Sequence, residues 1–177
     1  PSPEEHFMAN YDYSKINNLL KANSIDNLDK IEKYNFRNAL IIGSTGYLGA
    51  HILHSFLIHE SGTAYCLIRP KSNMSPEDRI ISYLNFYFGE DFYKDRIKVV
   101  AGDLVKENLG LSESDYNEVV SNVDVVINSG AIVKHFGLKK EFEDINVKGT
   151  QYIVDLCKKN NKRLIHASTI SISGFGE

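Results

Sequence analysis

From Arg37 onward, apolar residues follow two patterns in alternation. Short apolar runs occupy Ala39 to Ile42, Ala64 to Ile68, Ile97 to Ala101, Val123 to Ile127 and Arg163 to Ala167, with Gly, Pro, Asp or Asn close to most of their ends. Such runs predict buried strands. Between the first two, Leu48, Ile52, Leu53, Phe56 and Leu57 recur at helical spacing. Ser75-Pro76-Glu77-Asp78 then supplies an N-cap, a proline at the first helical position and an acidic first turn, predicting a helix through about Phe88. Ser112-Glu113-Ser114-Asp115 opens a short helix in the same way, and Glu141 to Asn160 predicts a long one. Strands alternating with helices are successive βαβ units, hence an α/β protein with a doubly wound parallel sheet whose ligands sit at the carboxyl ends of the strands.

The residues before this region pattern differently. Pro1 to about Phe36 is rich in Asn, Asp, Lys and Tyr, lacks glycine, and carries weak helical periodicity over Tyr13 to Leu20. It reads as a linker with one or two short helices, residues 1 to 36, ahead of a dinucleotide-binding domain at 37 to 177. A first residue of Pro rather than Met suggests a piece of a longer polypeptide or a chain processed at its start.

The first strand runs into Gly43-Ser44-Thr45-Gly46-Tyr47-Leu48-Gly49, three glycines spaced G-x-x-G-x-x-G between a strand and a helix. In that context the spacing is a Rossmann-type dinucleotide fingerprint. Gly43 permits the tight turn, Gly46 lets backbone N–H groups approach a pyrophosphate, and Gly49 lets the helix lie close on the sheet, with the helix N-terminus facing the anion. Gly43 through Gly49 are therefore the candidate phosphate-binding residues.

The end of the second strand discriminates between cofactors. An acidic residue about 20 positions after the loop takes the ribose hydroxyl of NAD, whereas arginine accommodates the 2'-phosphate of NADP. This chain has Leu67-Ile68-Arg69-Pro70-Lys71, with Arg69 20 positions beyond Gly49 and no carboxylate in the segment. Arg69 presents two donors to a phosphate, Lys71 adds a point charge, and Arg79 in the next helix closes the same pocket. The cofactor predicted is NADP(H).

Composition narrows the partners. At 177 residues and 42% hydrophobic content the chain can bury a core, and a net charge of -3 argues against nucleic acid or an anionic membrane as a partner. No apolar stretch approaches a membrane span and no signal peptide opens the chain, so a cytoplasmic protein is expected. Cys66 and Cys157 lie in apolar runs and read as core residues. His51, His54 and His59 have no ligand cluster at metal spacing, so no metal site is predicted. The aromatic group Tyr83, Phe86, Tyr87, Phe88, Phe92 and Tyr93 reads as burial against the sheet or a partner.

Five motifs in order carry a family resemblance: Gly43 to Gly49, Gly102-Asp103-Leu104, Asn128-Ser129-Gly130-Ala131, Asn146-Val147-Lys148-Gly149-Thr150 and His166-Ala167-Ser168-Thr169. Together they resemble the extended short-chain dehydrogenase/reductases. Cys66-Leu67-Ile68-Arg69, Gly130-Ala131-Ile132-Val133 and Ser168-Thr169-Ile170-Ser171-Ile172 are most similar to thioester reductase domains, which terminate nonribosomal peptide synthetases, aminoadipate reductases and carboxylic acid reductases. The resemblance runs from about Arg37 to Glu177. It implies an NADP-dependent reductase that releases an acyl or peptidyl chain, held as a phosphopantetheine thioester on a carrier protein, as an aldehyde or an alcohol.

By the same resemblance, Asp103 and Leu104 lie near the adenine, while Ser129, Gly130 and Ala131 leave room for the ribose and nicotinamide. Asn146 is a structural polar residue on the flanking helix, and Lys134 and His135 belong to a solvated loop. Thr169 aligns with the catalytic Ser or Thr after the fifth strand, its hydroxyl placed to bind the substrate carbonyl, with Ser168 and Ser171 as neighbouring alternatives. The family also uses a Tyr-x-x-x-Lys pair, which does not follow Thr169 here; Tyr11 and Lys15 share the spacing but precede the phosphate loop. The sheet is therefore expected to be truncated after its fifth strand. Two other readings stay open: a nucleotide-sugar epimerase or reductase of the same superfamily, and a non-catalytic dinucleotide-binding module.

Overall fold

The computed structural model describes residues 35–71, 73–89, 94–134 and 136–169, all from Asn35 onward. The expected N-terminal helices, the Tyr11/Lys15 spacing, Phe92, Tyr93, His135 and Ser171 lie outside these residues. Within them the chain forms β1 (Ala39–Ile42), α1 (Tyr47–His59), β2 (Ala64–Ile68), α2 (Pro76–Phe88), β3 (Ile97–Ala101), α3 (Glu113–Asn122) and β4 (Val125–Asn128). There follow α4 (Lys139–Phe142), a π-helical turn (Glu143–Gly149), α5 (Thr150–Lys159) and β5 (Arg163–His166).

Five parallel strands pair in the order β3-β2-β1-β4-β5, a Rossmann-type doubly wound sheet. Strand alternation sorts the apolar side chains onto its two faces. Ala39 and Ile41 pack with Leu53, Phe56, Leu57, Ile80 and Leu84 of α1 and α2. Leu40 and Ile42 pack with Val119, Ile153 and Leu156 of α3 and α5. Because both faces are covered, β1, β2 and β4 are buried at every position, which is why they appear in the sequence as continuous apolar runs. Cys66 and Cys157 are buried in these two layers.

Local chemistry sets the helix starts. Ser75 and Ser112 each accept a hydrogen bond from the backbone N–H three residues on, Asp78 at 3.0 Å and Asp115 at 3.1 Å, so α2 and α3 begin at the expected residues. Several boundaries differ from expectation, the fifth strand for one ending at His166 instead of Ala167. The fourth strand starts at Val125 instead of Val123, because the Val123 N–H caps α3 by donating to Val119 O, and the Asp124 carboxylate accepts the Arg37 and Asn38 N–H groups. The long helix starts at Lys139 and includes a π-helical turn at Glu143–Gly149, a change of hydrogen-bond pitch that side-chain periodicity does not reveal.

Candidate functional site

In this strand order the chain reverses direction between β1 and β4, and the loops after these two strands meet at the carboxyl edge of the sheet. A side chain on Gly43, whose φ is +88°, would fall 2.7 Å from Gly130 N. Ser129 ties the two loops together, its N–H and its hydroxyl both donating to Ile42 O at 3.0 and 2.9 Å. One on Gly49 would fall 2.0 Å from Gly43 O, so α1 packs directly on the loop as the spacing implied. The N-cap of α1 is Gly46, which has no side chain to satisfy the first-turn amides, and no acidic residue occupies that turn. Whereas α2 and α3 carry serine caps, α1 presents uncapped N–H groups, which suits an anion.

A cleft of about 270 Å³ opens over this edge. Of the expected cofactor residues, Gly43, Thr45, Arg69, Arg79, Asp103, Leu104, Gly130 and Ala131 line it. Arg79 spans one side, Nη1 donating to Arg69 O at 3.0 Å and Nη2 to Thr45 Oγ1 at 3.4 Å. Asp103 is held in its turn, its N–H donating to Leu109 O at 2.7 Å and its Oδ1 accepting from Val105 N at 3.3 Å. Sequence reasoning missed the apolar wall made by Ile132 and Ile145: Ile132 lies in a motif but was given no role, and Ile145 lies in none.

Other expected residues sit differently. Ser44 is fully buried with its hydroxyl against the Cys66 thiol, and burial pushes that thiol up to about 12. Ser129 is committed to the Ile42 carbonyl and lines neither cleft. Lys71 is exposed and pairs with Met74 across a short turn, outside the cleft lining. Tyr47 and Leu48 are exposed, so the buried stripe of α1 is Gly49, Ala50, Leu53, Phe56 and Leu57. The Tyr47 ring packs on His51 and Tyr87, while His54 stacks on Phe88 at 3.8 Å. These histidines thus meet aromatic rings, and burial together with the neighbouring His51 and His59 charges lowers the His54 pKa. Phe86 is 79% exposed, so of the two expectations for the aromatic group, burial against the sheet does not hold for it. Among the described residues no three His, Cys, Asp or Glu side chains gather around a point.

A second cleft, about 330 Å³, adjoins the first through Gly130, Ala131 and Ile132 and is lined by Asn146, His166, Ser168 and Thr169. Asn146 clasps the backbone of Ile132, Oδ1 accepting from its N–H at 2.8 Å and Nδ2 donating to its carbonyl at 2.9 Å. The structural role implied for Asn146 is therefore what its geometry performs. Asn128 was given no role from sequence, although an amide ending an apolar strand was the available signal. It is buried and bonds both Gly130 and His166.

Residues 41–176 match the NAD-binding family described as male sterility protein. The chain belongs to this family. A putative fatty acyl-CoA reductase of Drosophila melanogaster is 31% identical over 153 residues, covering 80% of the chain and 30% of the relative. The thiolation-reductase di-domain of an archaeal nonribosomal peptide synthetase superposes with a TM-score of 0.74 at 32% identity, covering 95% of this chain and 35% of that one. The terminal R domain of the myxalamid pathway gives 0.71 at 30% identity, with 79% and 36% covered. This male sterility family chain thus spans about a third of the length of these proteins. It is related to reductase domains of the extended short-chain dehydrogenase/reductase type, and a nicotinamide dinucleotide fits the glycine cradle and uncapped helix. Among the described residues no helix is long and apolar enough to cross a membrane.

Proposed function

We propose that this chain is the NADP-binding part of a reductase that releases a carrier-bound acyl or peptidyl phosphopantetheine thioester as an aldehyde or, after a second reduction, an alcohol. The observation that carries the reading is an arginine pair, Arg69 at the end of β2 and Arg79 in the first turns of α2, both lining the first cleft. Arginine at this point in the fold favours a 2'-phosphate, because its planar fork matches phosphate oxygens. Gly43 to Gly49 would hold the pyrophosphate, Asp103 and Leu104 the adenine end, and Gly130 with Ala131 the nicotinamide end. Lys71 is a peripheral charge in this reading.

NADPH would supply the hydride for the thioester carbonyl carbon. Thr169 in the second cleft would donate its hydroxyl hydrogen bond to the oxygen as negative charge grows there. Breaking the C–S bond then yields the aldehyde and the free phosphopantetheine thiol. The thiolation-reductase neighbour and the fatty acyl-CoA reductase relative support an activated thioester as the substrate class.

Calorimetric titration with NADPH and NADH, followed by turnover of an acylated carrier protein by the full-length polypeptide, tests the proposal. Preferential NADPH binding and release of an aldehyde or alcohol are expected. Equal affinity for the two cofactors removes the NADP assignment. Turnover of a nucleotide sugar without thioester reduction overturns the substrate, and cofactor binding without any turnover makes the chain a binding module.

A further inference from the structure

Asn128 ends β4 with a side chain only 1% exposed and both ends of its amide engaged. Its Oδ1 accepts from Gly130 N at 2.9 Å, and its Nδ2 lies 3.0 Å from His166 Nδ1. A backbone N–H can only donate, so the atom facing Gly130 is the amide oxygen and the atom facing His166 is the amide nitrogen. That nitrogen also only donates. His166 Nδ1 must therefore accept, which makes the ring neutral with its proton on Nε2.

His166 closes β5, is exposed at the sheet edge, and lines the same cleft as Thr169. The cleft thus combines a committed donor at His166 and hydroxyls at Ser168 and Thr169 with an apolar wall at Ala131, Ile132 and Val133. We propose that His166 is a second substrate-binding donor, its Nε2–H kept in donor form by Asn128 and hydrogen-bonded to an oxygen of the bound acyl thioester. Asn128 is then a positioning residue. Giving up the Nε2 proton from a neutral ring would create an imidazolate, so His166 binds oxygen and does not deliver the proton. Its loss should consequently appear in KM before kcat. The identity of the substrate rests on the reductase reading; the tautomer does not.

Two measurements test this. Long-range proton–nitrogen NMR of the chain should report the His166 proton on Nε2, and Asn128→Asp, which presents only acceptors, should move a proton onto Nδ1. In the full-length enzyme, His166→Asn keeps an acceptor for Asn128 but no longer reaches the Nε2 position, whereas His166→Gln carries an amide donor there. His166→Asn should raise KM for the acyl thioester about 3- to 10-fold, the range of one neutral hydrogen bond, with NADPH affinity unchanged. His166→Gln should restore much of the loss. An Nδ1–H tautomer in the wild type, or an unaltered KM in His166→Asn, overturns the inference while leaving the reductase reading intact. A wild-type enzyme with the Nε2–H tautomer that reduces no thioester overturns the reductase reading, and the substrate assigned to His166 with it.

Discussion

Arg79 reaches from the first turns of α2 to Thr45 in the glycine loop, its Nη2 3.4 Å from Thr45 Oγ1, while its Nη1 donates to the Arg69 carbonyl at 3.0 Å. One guanidinium therefore bridges the glycine loop and the end of β2, joining two segments that a dinucleotide with a 2'-phosphate would touch together.

Arg69→Ala should weaken NADPH binding roughly 10- to 100-fold and leave NADH nearly unchanged, since a charge-assisted pair contributes about 1.5 to 3 kcal/mol. Arg79→Ala should act in the same direction and also loosen the β2–α2 turn. Calorimetry with both cofactors reads the difference. Equal loss for NADH and NADPH in Arg69→Ala would refute the 2'-phosphate contact.

Thr169→Val in the full-length enzyme should leave NADPH affinity near wild type while lowering turnover about 100- to 1000-fold, the usual loss on removing one oxyanion donor. Thr169→Ser should retain much of the rate. Steady-state kinetics on an acylated carrier protein separates the cases. Full activity in Thr169→Val with loss in Ser168→Ala would move the role to its neighbour in the same cleft.

Gly49→Ala should destabilise the domain by about 1 to 3 kcal/mol or more, because the added methyl falls 2.0 Å from the Gly43 carbonyl and neither backbone can yield easily. Gly46→Ala is the control, with 3.3 Å to the same oxygen and an extended backbone that any residue adopts. Urea denaturation of both variants gives the comparison. Equal stability in the two would mean that α1 does not pack on the loop as described.

Asp124 supplies a pH dependence with a definite sign. Hydrogen bonds from the Asn38 and Arg37 N–H groups hold its carboxyl below the usual carboxylate range, partly opposed by burial. A folded pKa below the unfolded value of about 3.9 gives stabilisation that is complete above that pH and is lost as pH falls through the folded pKa. Asp124→Ala should therefore be less stable than wild type at neutral pH by about 1 to 3 kcal/mol, with the gap closing on acidification below about pH 4. Denaturation series at several pH values check this, and a gap that persists at low pH would discount the ionised carboxylate.

The elements of this protein were legible because each is set by short-range physics. The continuous apolar run Ala39–Ile42, the serine caps at Ser75 and Ser112, and three glycines in register are all local signals spanning a few residues. The same reasoning reached Gly43, Arg69 and Arg79, since strand ends in a doubly wound sheet are where ligands gather, whereas Asp103 and Thr169 were singled out by the family resemblance. Tertiary structure decided the strand order β3-β2-β1-β4-β5, and with it which loops face each other. It brought Gly43 against Gly130, Arg79 against Thr45, Asn146 against Ile132 and Asn128 against His166. These partners lie between 14 and 87 residues apart, and hydrophobic periodicity assigns a side chain to a face without naming what it meets there. It also separated the binding candidates. Ser129 turned inward to the Ile42 carbonyl, because closing the β1 and β4 loops on each other takes its hydroxyl as an internal partner, and Ser44 is buried in the core, so that Thr45, the arginines and Asp103 are left to line the first cleft and His166, Ser168 and Thr169 the second.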